Sequence, residues 1–156
     1  MQILVDADAC PVKGIIVRHA KNKKIPVIML SDTAHQLDDG YSRVVTVDKG
    51  IDSVDFALIG LLHRGDLVVT QDYGLAAMAL GKGARVVNQN GLIYTNENID
   101  RLLMERHVSA KARRRGNRTK GPAKRTKAND DQFEIAFEML LTLSLNQEGL
   151  HTPSDI

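Results

Sequence analysis

A three-layer α/β/α fold with a mostly parallel central sheet is predicted by three features of this 156-residue chain. Short apolar runs rich in Val, Ile and Leu recur through its first half. They are apolar throughout rather than alternating, as strands covered on both faces are. Segments with helical periodicity separate most of these runs and are long enough for the crossover that each parallel pair requires.

The elements follow in order. ILV at 3–5 reads as the first strand, and the helix expected over 11–23 starts at Pro11, whose missing N–H is unneeded in a first turn. PVIML at 26–30 is the second strand, after which SDTAHQLDDGYS holds too many turn formers for a regular element. RVVTV at 43–47 is the third strand. DSVDFALIGLLHR at 52–64 predicts an apolar-striped helix with acids in its first turn, where the helix dipole favours them. DLVVT at 66–70, a helix over 73–82 and ARVV at 84–87 complete the repeating part.

Beyond residue 95 the pattern changes. A helix over 96–112 with Asn96 as its cap is followed by a basic stretch, and 130–147 predicts a strongly amphipathic last helix. That helix must hide Phe133, Phe137, Leu140, Leu141 and Leu145. Residues 1–110 are thus expected to form an α/β domain, 111–129 a flexible strap, and 130–148 a helix docking on the domain. A second copy of the chain in a homodimer is the alternative docking surface.

Composition excludes several classes. At 43% hydrophobic and 26% charged the chain is that of a soluble globular protein. It lacks both a membrane-length apolar run and a signal-peptide layout, so the expected location is cytoplasmic. The lone Cys10 has no internal partner and no CxxC neighbour. The net charge of +2 conceals an asymmetry: KARRRGNRTKGPAKRTK at 111–127 holds nine of the 21 bases and no acid, leaving 12 bases against 19 acids elsewhere. A basic strap on an acidic body is the electrostatic footprint of polyanion contact, although a solvated linker has the same composition.

Ligands of open parallel sheets bind beyond the carboxyl ends of the strands. The aspartates crowd there: Asp6 and Asp8 after the first strand, Asp72 in TQDYG after the fourth, and Asp52 and Asp55 on the first turn of the helix after the third. Such carboxylates in one pocket would repel one another unless a hard divalent cation sat between them, and all-oxygen ligands select Mg2+ or Mn2+. A metal so held suits phosphodiester hydrolysis. Ser31 and Thr70 are expected to orient groups at the rim.

Each acid also has a bland reading. Asp72 and Asp52 would serve as helix caps, whereas Asp6 and Asp8 have no shared capping role. Asp32, Asp38, Asp39 and Asp48 read as turn acids, and His35 and His107 as surface or packing residues.

VDADACPVK, SDTAH, DSVDFALI, VVTQDYGLAAMAL, the late ERH and RRRGNRTKGPAKRT together resemble the YaiI/YqxD family of uncharacterised bacterial proteins, over nearly the whole chain. The resemblance implies a relationship to PIN-like nuclease domains, whose acids bind magnesium or manganese at one edge of a parallel sheet. It implies Asp6 as the first-strand acid, Asp55 or Asp52 as the mid-chain acid, Asp72 as the acid after the fourth strand, and Asp8 as an additional member. Many PIN-like domains carry glutamate at the mid-chain position, where this chain offers aspartate.

The expected activity is therefore metal-dependent phosphodiester cleavage of nucleic acid, with RNA favoured over DNA as the substrate. Asp6, Asp55 and Asp72 would hold the ion, supported by Asp8 and Asp52. Arg113, Arg114, Arg115, Arg118, Lys120, Lys124, Arg125 and Lys127 would contact phosphates. Two rivals remain. ILVDADACP also resembles the start of haloacid-dehalogenase phosphatases, with Asp6 as nucleophile, Asp8 as general acid and Ser31 from the second motif. GDLVVTQD does not supply that family's metal acids, and the strap has no role in it. The other rival is a nucleic-acid-binding protein that turns nothing over.

Overall fold

The computed structural model describes residues 1–32, 38–50, 53–116 and 123–150. The chain runs β1 (Ile3–Asp6), α1 (Lys13–Lys23), β2 (Val27–Ser31), β3 (Arg43–Thr46), α2 (Ser53–Leu61), β4 (Leu67–Val69), α3 (Tyr73–Gly81), β5 (Arg85–Val87), β6 (Ile93–Tyr94), α4 (Asn96–Arg114) and α5 (Lys127–Leu150). The six strands form one sheet in the order β3-β2-β1-β4-β5-β6. β1 to β5 pair in parallel, and β6 pairs antiparallel with β5.

Alternation along the strands builds the three layers. Ile3, Val5, Val27, Met29 and Val69 face α1 and α5, where Val12, Ile16, Phe133, Phe137 and Leu141 complete one core. Leu4, Ile28, Leu30, Val68 and Val86 face α2, α3 and α4, which contribute Leu58, Leu75, Ile99 and Leu102 to the other. Both faces of the central strands are therefore dry, which explains their unbroken apolar sequences.

Three local readings change. The short strand β6 is new: Asn88 and Gly91 close a tight turn before it, with Asn88 Oδ1 accepting from Asn90 N at 2.9 Å and Leu92 N at 2.9 Å. The Asn-Gly pair between VV and LIY is the sequence signal for it. α4 is capped by Thr95 rather than Asn96, in a reciprocal box in which Thr95 Oγ1 accepts from Asn98 N and Asn98 Oδ1 accepts from Thr95 N. Pro11 lies before α1, not at its first position.

α5 docks on this same unit, against α1, β4 and β5. Its first turns press on the β5–β6 turn so closely that a Cβ on Gly91, whose φ is +86°, would lie 2.5 Å from the Gln132 carbonyl oxygen. Only glycine fits there. On α1, His19 and Arg18 both bond Glu134 of α5, His19 Nε2 at 2.7 Å. These contacts and Glu138 make up the one group of acids and histidine among the described residues whose ligand atoms all fall within 4.8 Å. Arg18 on Glu134, and the two ring nitrogens of His19 turned to different glutamates, mark it as an ion-pair clamp.

The strand order creates a switch point. From β1 the chain winds outward through β2 to β3, then returns to place β4 on the other side of β1. The crevice between β1 and β4, at their carboxyl ends, is where such folds open a ligand site.

Candidate functional site

Two hydroxyls, at the carboxyl ends of the two strands flanking β1, hold the aspartates at its own carboxyl end. Thr70, just after β4, donates its Oγ1 hydrogen to Asp6 Oδ2 at 2.9 Å. Ser31, the last residue of β2, donates to Asp8 Oδ1 at 2.5 Å, and Asp32 N donates to Asp8 Oδ2 at 2.9 Å. Ser31 and Thr70 are buried beneath the acids rather than set at a rim. The turn between Asp8 and Cys10 puts Ala9 in the left-handed region, φ 57°. This strained backbone is secured where Gln71 Nε2 donates to the Ala9 carbonyl at 3.1 Å.

Asp72 joins them through the same hydroxyl. Its backbone N–H donates to Thr70 Oγ1 at 3.0 Å, and its Oδ1 caps α3 by accepting from Leu75 N at 3.1 Å. Capping occupies Oδ1 and leaves Oδ2 of Asp72 without a hydrogen bond among the described residues. The bland and functional readings of Asp72 are therefore compatible.

Asp6, Asp8 and Asp72 line one open cleft of about 610 Å³, together with Ala9, Gln71 and Tyr73 on their side and Glu105, Arg106 and Ser109 of α4 on the other. Burial pushes the Asp6 carboxyl above its usual range, and the charges of Asp8, Asp72 and Asp32 add to the shift against the lowering effect of Thr70. Asp32 is raised as well, through its hydrogen bond and charge contact with Asp8. The charge of Lys49 works against the rise at Asp32, while Lys13 Nζ donates to the Ala7 carbonyl at 3.3 Å. Burial also pushes the Cys10 thiol up, away from the thiolate.

The predicted residues are distributed as follows. Asp55 is half-buried in the first turn of α2 and is not among the residues lining this cleft. Asp52, Arg118 and Lys120 lie outside the described residues. Arg113 and Arg114 end α4, Arg115 is its C-cap, and all three are exposed, as are Lys124 and Lys127. Arg125 behaves differently. Its Nε donates to Asp130 Oδ1 at 2.8 Å, one terminal nitrogen to Asn90 Oδ1 at 2.6 Å and the other to the Gln89 carbonyl at 2.7 Å. A guanidinium so engaged ties the start of α5 to the β5–β6 turn. Two acids were missed: Asp32, which reads as a turn residue, and Glu105, whose ERH motif stands far from the other acids in sequence. Asp32 was legible only through its strand-end position.

The donor set is entirely oxygen, which suits a hard divalent cation. The carboxylates are splayed by Thr70, Ser31 and the α3 cap, and their oxygens do not close to within 4.8 Å as a triad. That spacing fits an ion that keeps part of its water shell, as magnesium does.

Comparison with known proteins bears on the family. The family model described as "Uncharacterized BCR, YaiI/YqxD family" matches residues 4–143. The chain belongs to the YaiI/YqxD family. It is 63% identical over 149 residues to a UPF0178 protein of Ruminiclostridium cellulolyticum, covering 96% of each chain. It is 58% identical over 143 residues to a UPF0178 protein of Clostridium acetobutylicum, covering 90% of this chain and 97% of that one. A UPF0178 protein of Exiguobacterium sibiricum is 48% identical over 142 residues, covering 91% and 97%. No solved structure matches the chain. No helix among the described residues of this YaiI/YqxD member is long and apolar enough to cross a membrane.

Proposed function

We propose that this protein is a divalent-metal-dependent nuclease that hydrolyses phosphodiester bonds of RNA, of the PIN-like type that the family's sequence motifs resemble. The observation that carries the reading is the gathering of Asp6, Asp8 and Asp72 at the β1–β4 switch point, where they line one open cleft. Asp6 and Asp72 would hold Mg2+ or Mn2+, with Asp8 and Asp32 in support. When bound, the ion supplies charge neutralisation at the phosphoryl oxygens and a more acidic bound water. Thr70 keeps Asp6 and the Asp72 backbone in register, and Ser31 fixes Asp8, so the acids meet an incoming cation already oriented. The exposed Arg113, Arg114 and Arg115 supply the electrostatic hold on the polyanion.

The haloacid-dehalogenase reading has less support. It needs Asp6 free to attack phosphorus and a lysine beside it, whereas Lys13 is bonded to a carbonyl. The test is cleavage of labelled single-stranded RNA in Mn2+. Wild type should cleave, chelator should stop it, and Asp6→Asn should lose all metal-dependent cleavage while binding RNA as well as wild type or more tightly. Equal cleavage by Asp6→Asn, or an aspartyl-phosphate on Asp6, would reject the mechanism.

A further inference from the structure

α4 reaches past the sheet. Its 19 residues span about 28 Å, and the buried residues Ile99 and Leu102 belong to its first half. Arg106 and Ser109 continue the same stripe, at successive spacings of four and three residues from Leu102, so the face that packs on the core becomes a wall of the cleft. Arg106 therefore stands across from Asp6, Asp8 and Asp72. It makes no hydrogen bond or ion pair among the described residues, whereas the neighbouring Glu105 is held by Arg101 at 2.9 Å. An uncommitted guanidinium lining an acidic cleft has a geometry suited to a phosphate, whose oxygens match its planar fork. About two turns further on, the same helix carries Arg113 and Arg114, so one rigid element links the cleft to the basic stretch.

We propose that Arg106 binds a non-bridging oxygen of the RNA phosphate that enters the cleft, opposite the carboxylates of the β1 and β4 ends. This assignment rests on the nuclease reading for its substrate and extends it to the wall that faces the acids. A cation on the acids and Arg106 across from them would hold one phosphate from two sides.

The test measures binding apart from turnover. Affinity for a fluorescein-labelled single-stranded RNA of mixed sequence is titrated against salt in the Asp6→Asn background, with and without Arg106→Ala. Loss of one phosphate contact should reduce the slope of log K against log salt by about 0.7. Mn2+ affinity of the Arg106→Ala single variant, read by calorimetry, should match wild type, and its kcat/KM for cleavage should fall about a hundredfold. An unchanged salt slope overturns the assignment. So does an unchanged slope with tighter Mn2+ binding, which would make Arg106 a counter-charge to the acids. A wild type inert in Mn2+ with a reduced slope would reject the nuclease reading and uphold the phosphate contact.

Discussion

The Thr70 hydroxyl sits between two acids: it donates to Asp6 Oδ2 at 2.9 Å and accepts from the Asp72 backbone N–H at 3.0 Å. One side chain at the end of β4 thus couples the acid that ends β1 to the acid that starts α3. Replacing it by the isosteric Val removes both bonds and strands a partly buried N–H. Thr70→Val is expected to lower stability by about 1–3 kcal/mol in urea denaturation and to raise the Asp6 carboxyl further, with Thr70→Ser restoring most of both. A neutral Thr70→Val would show that the hydroxyl does not organise the site.

Asp6 is a site where function and stability oppose each other. Its folded-state carboxyl is raised, chiefly by burial, so the folded protein binds that proton more tightly than the unfolded chain. The cost is present at neutral pH and is relieved as pH falls through the raised value. Asp6→Asn should therefore melt higher than metal-free wild type at pH 7, and the gap should close at acid pH. Added Mn2+ should raise the wild-type melting temperature, by about 2.7 kcal/mol equivalent at a hundredfold excess over Kd, and leave Asp6→Asn little changed. Matching metal responses in the two proteins would remove Asp6 from the metal site.

Arg125 and the arginines that end α4 are expected to separate cleanly. Arg125→Ala loses contacts to Asp130, Asn90 and Gln89 and should destabilise the fold by about 1–3 kcal/mol without changing the salt slope of RNA binding. Changing Arg113, Arg114 and Arg115 together to Ala should leave the melting temperature within a degree or two and flatten that slope by about 2. The reverse pattern would mean that the structural and phosphate-binding roles are exchanged.

Gly91→Ala tests the docking of α5. With φ at +86° and the Gln132 carbonyl in the way, the added methyl has no room. Loss of more than about 1 kcal/mol is expected in denaturant titration. Gly14→Ala, where a Cβ meets nothing within 4 Å, is the control and should be neutral or stabilising.

Among the described residues, five of the six strands and all five helices are legible as hydrophobic pattern: burial of both sheet faces leaves uninterrupted Val, Ile and Leu runs in β1, β2, β4 and β5, whereas the exposed edge strand β3 is legible through its β-branched RVVT alone. β6 escapes because two residues carry no period. Its signal lies in the Asn-Gly turn before it. The acids show the same division. Asp6, Asp8 and Asp72 stand directly after apolar runs and can be placed at one sheet edge from sequence. Asp66 shows why an acid's identity alone is not enough. At the opposite edge it is 3% exposed and saturated by Gln2 N, Gln2 Nε2 and His63 N, as a structural residue is.

By itself the sequence determined the layers, the strand-end positions of Asp6, Asp8 and Asp72 and the charge asymmetry, since each follows from the residues immediately around it, whereas Asp55, expected in the same site, does not line the cleft. The tertiary structure decided which hydroxyl holds which acid, that Arg125 is tied to the β5–β6 turn, and that Glu105 and Arg106 form the facing wall. Those outcomes depend on strand order and on the angle at which α4 leaves the core. Neither is set by local propensity, because both arise from packing between segments that are distant in sequence.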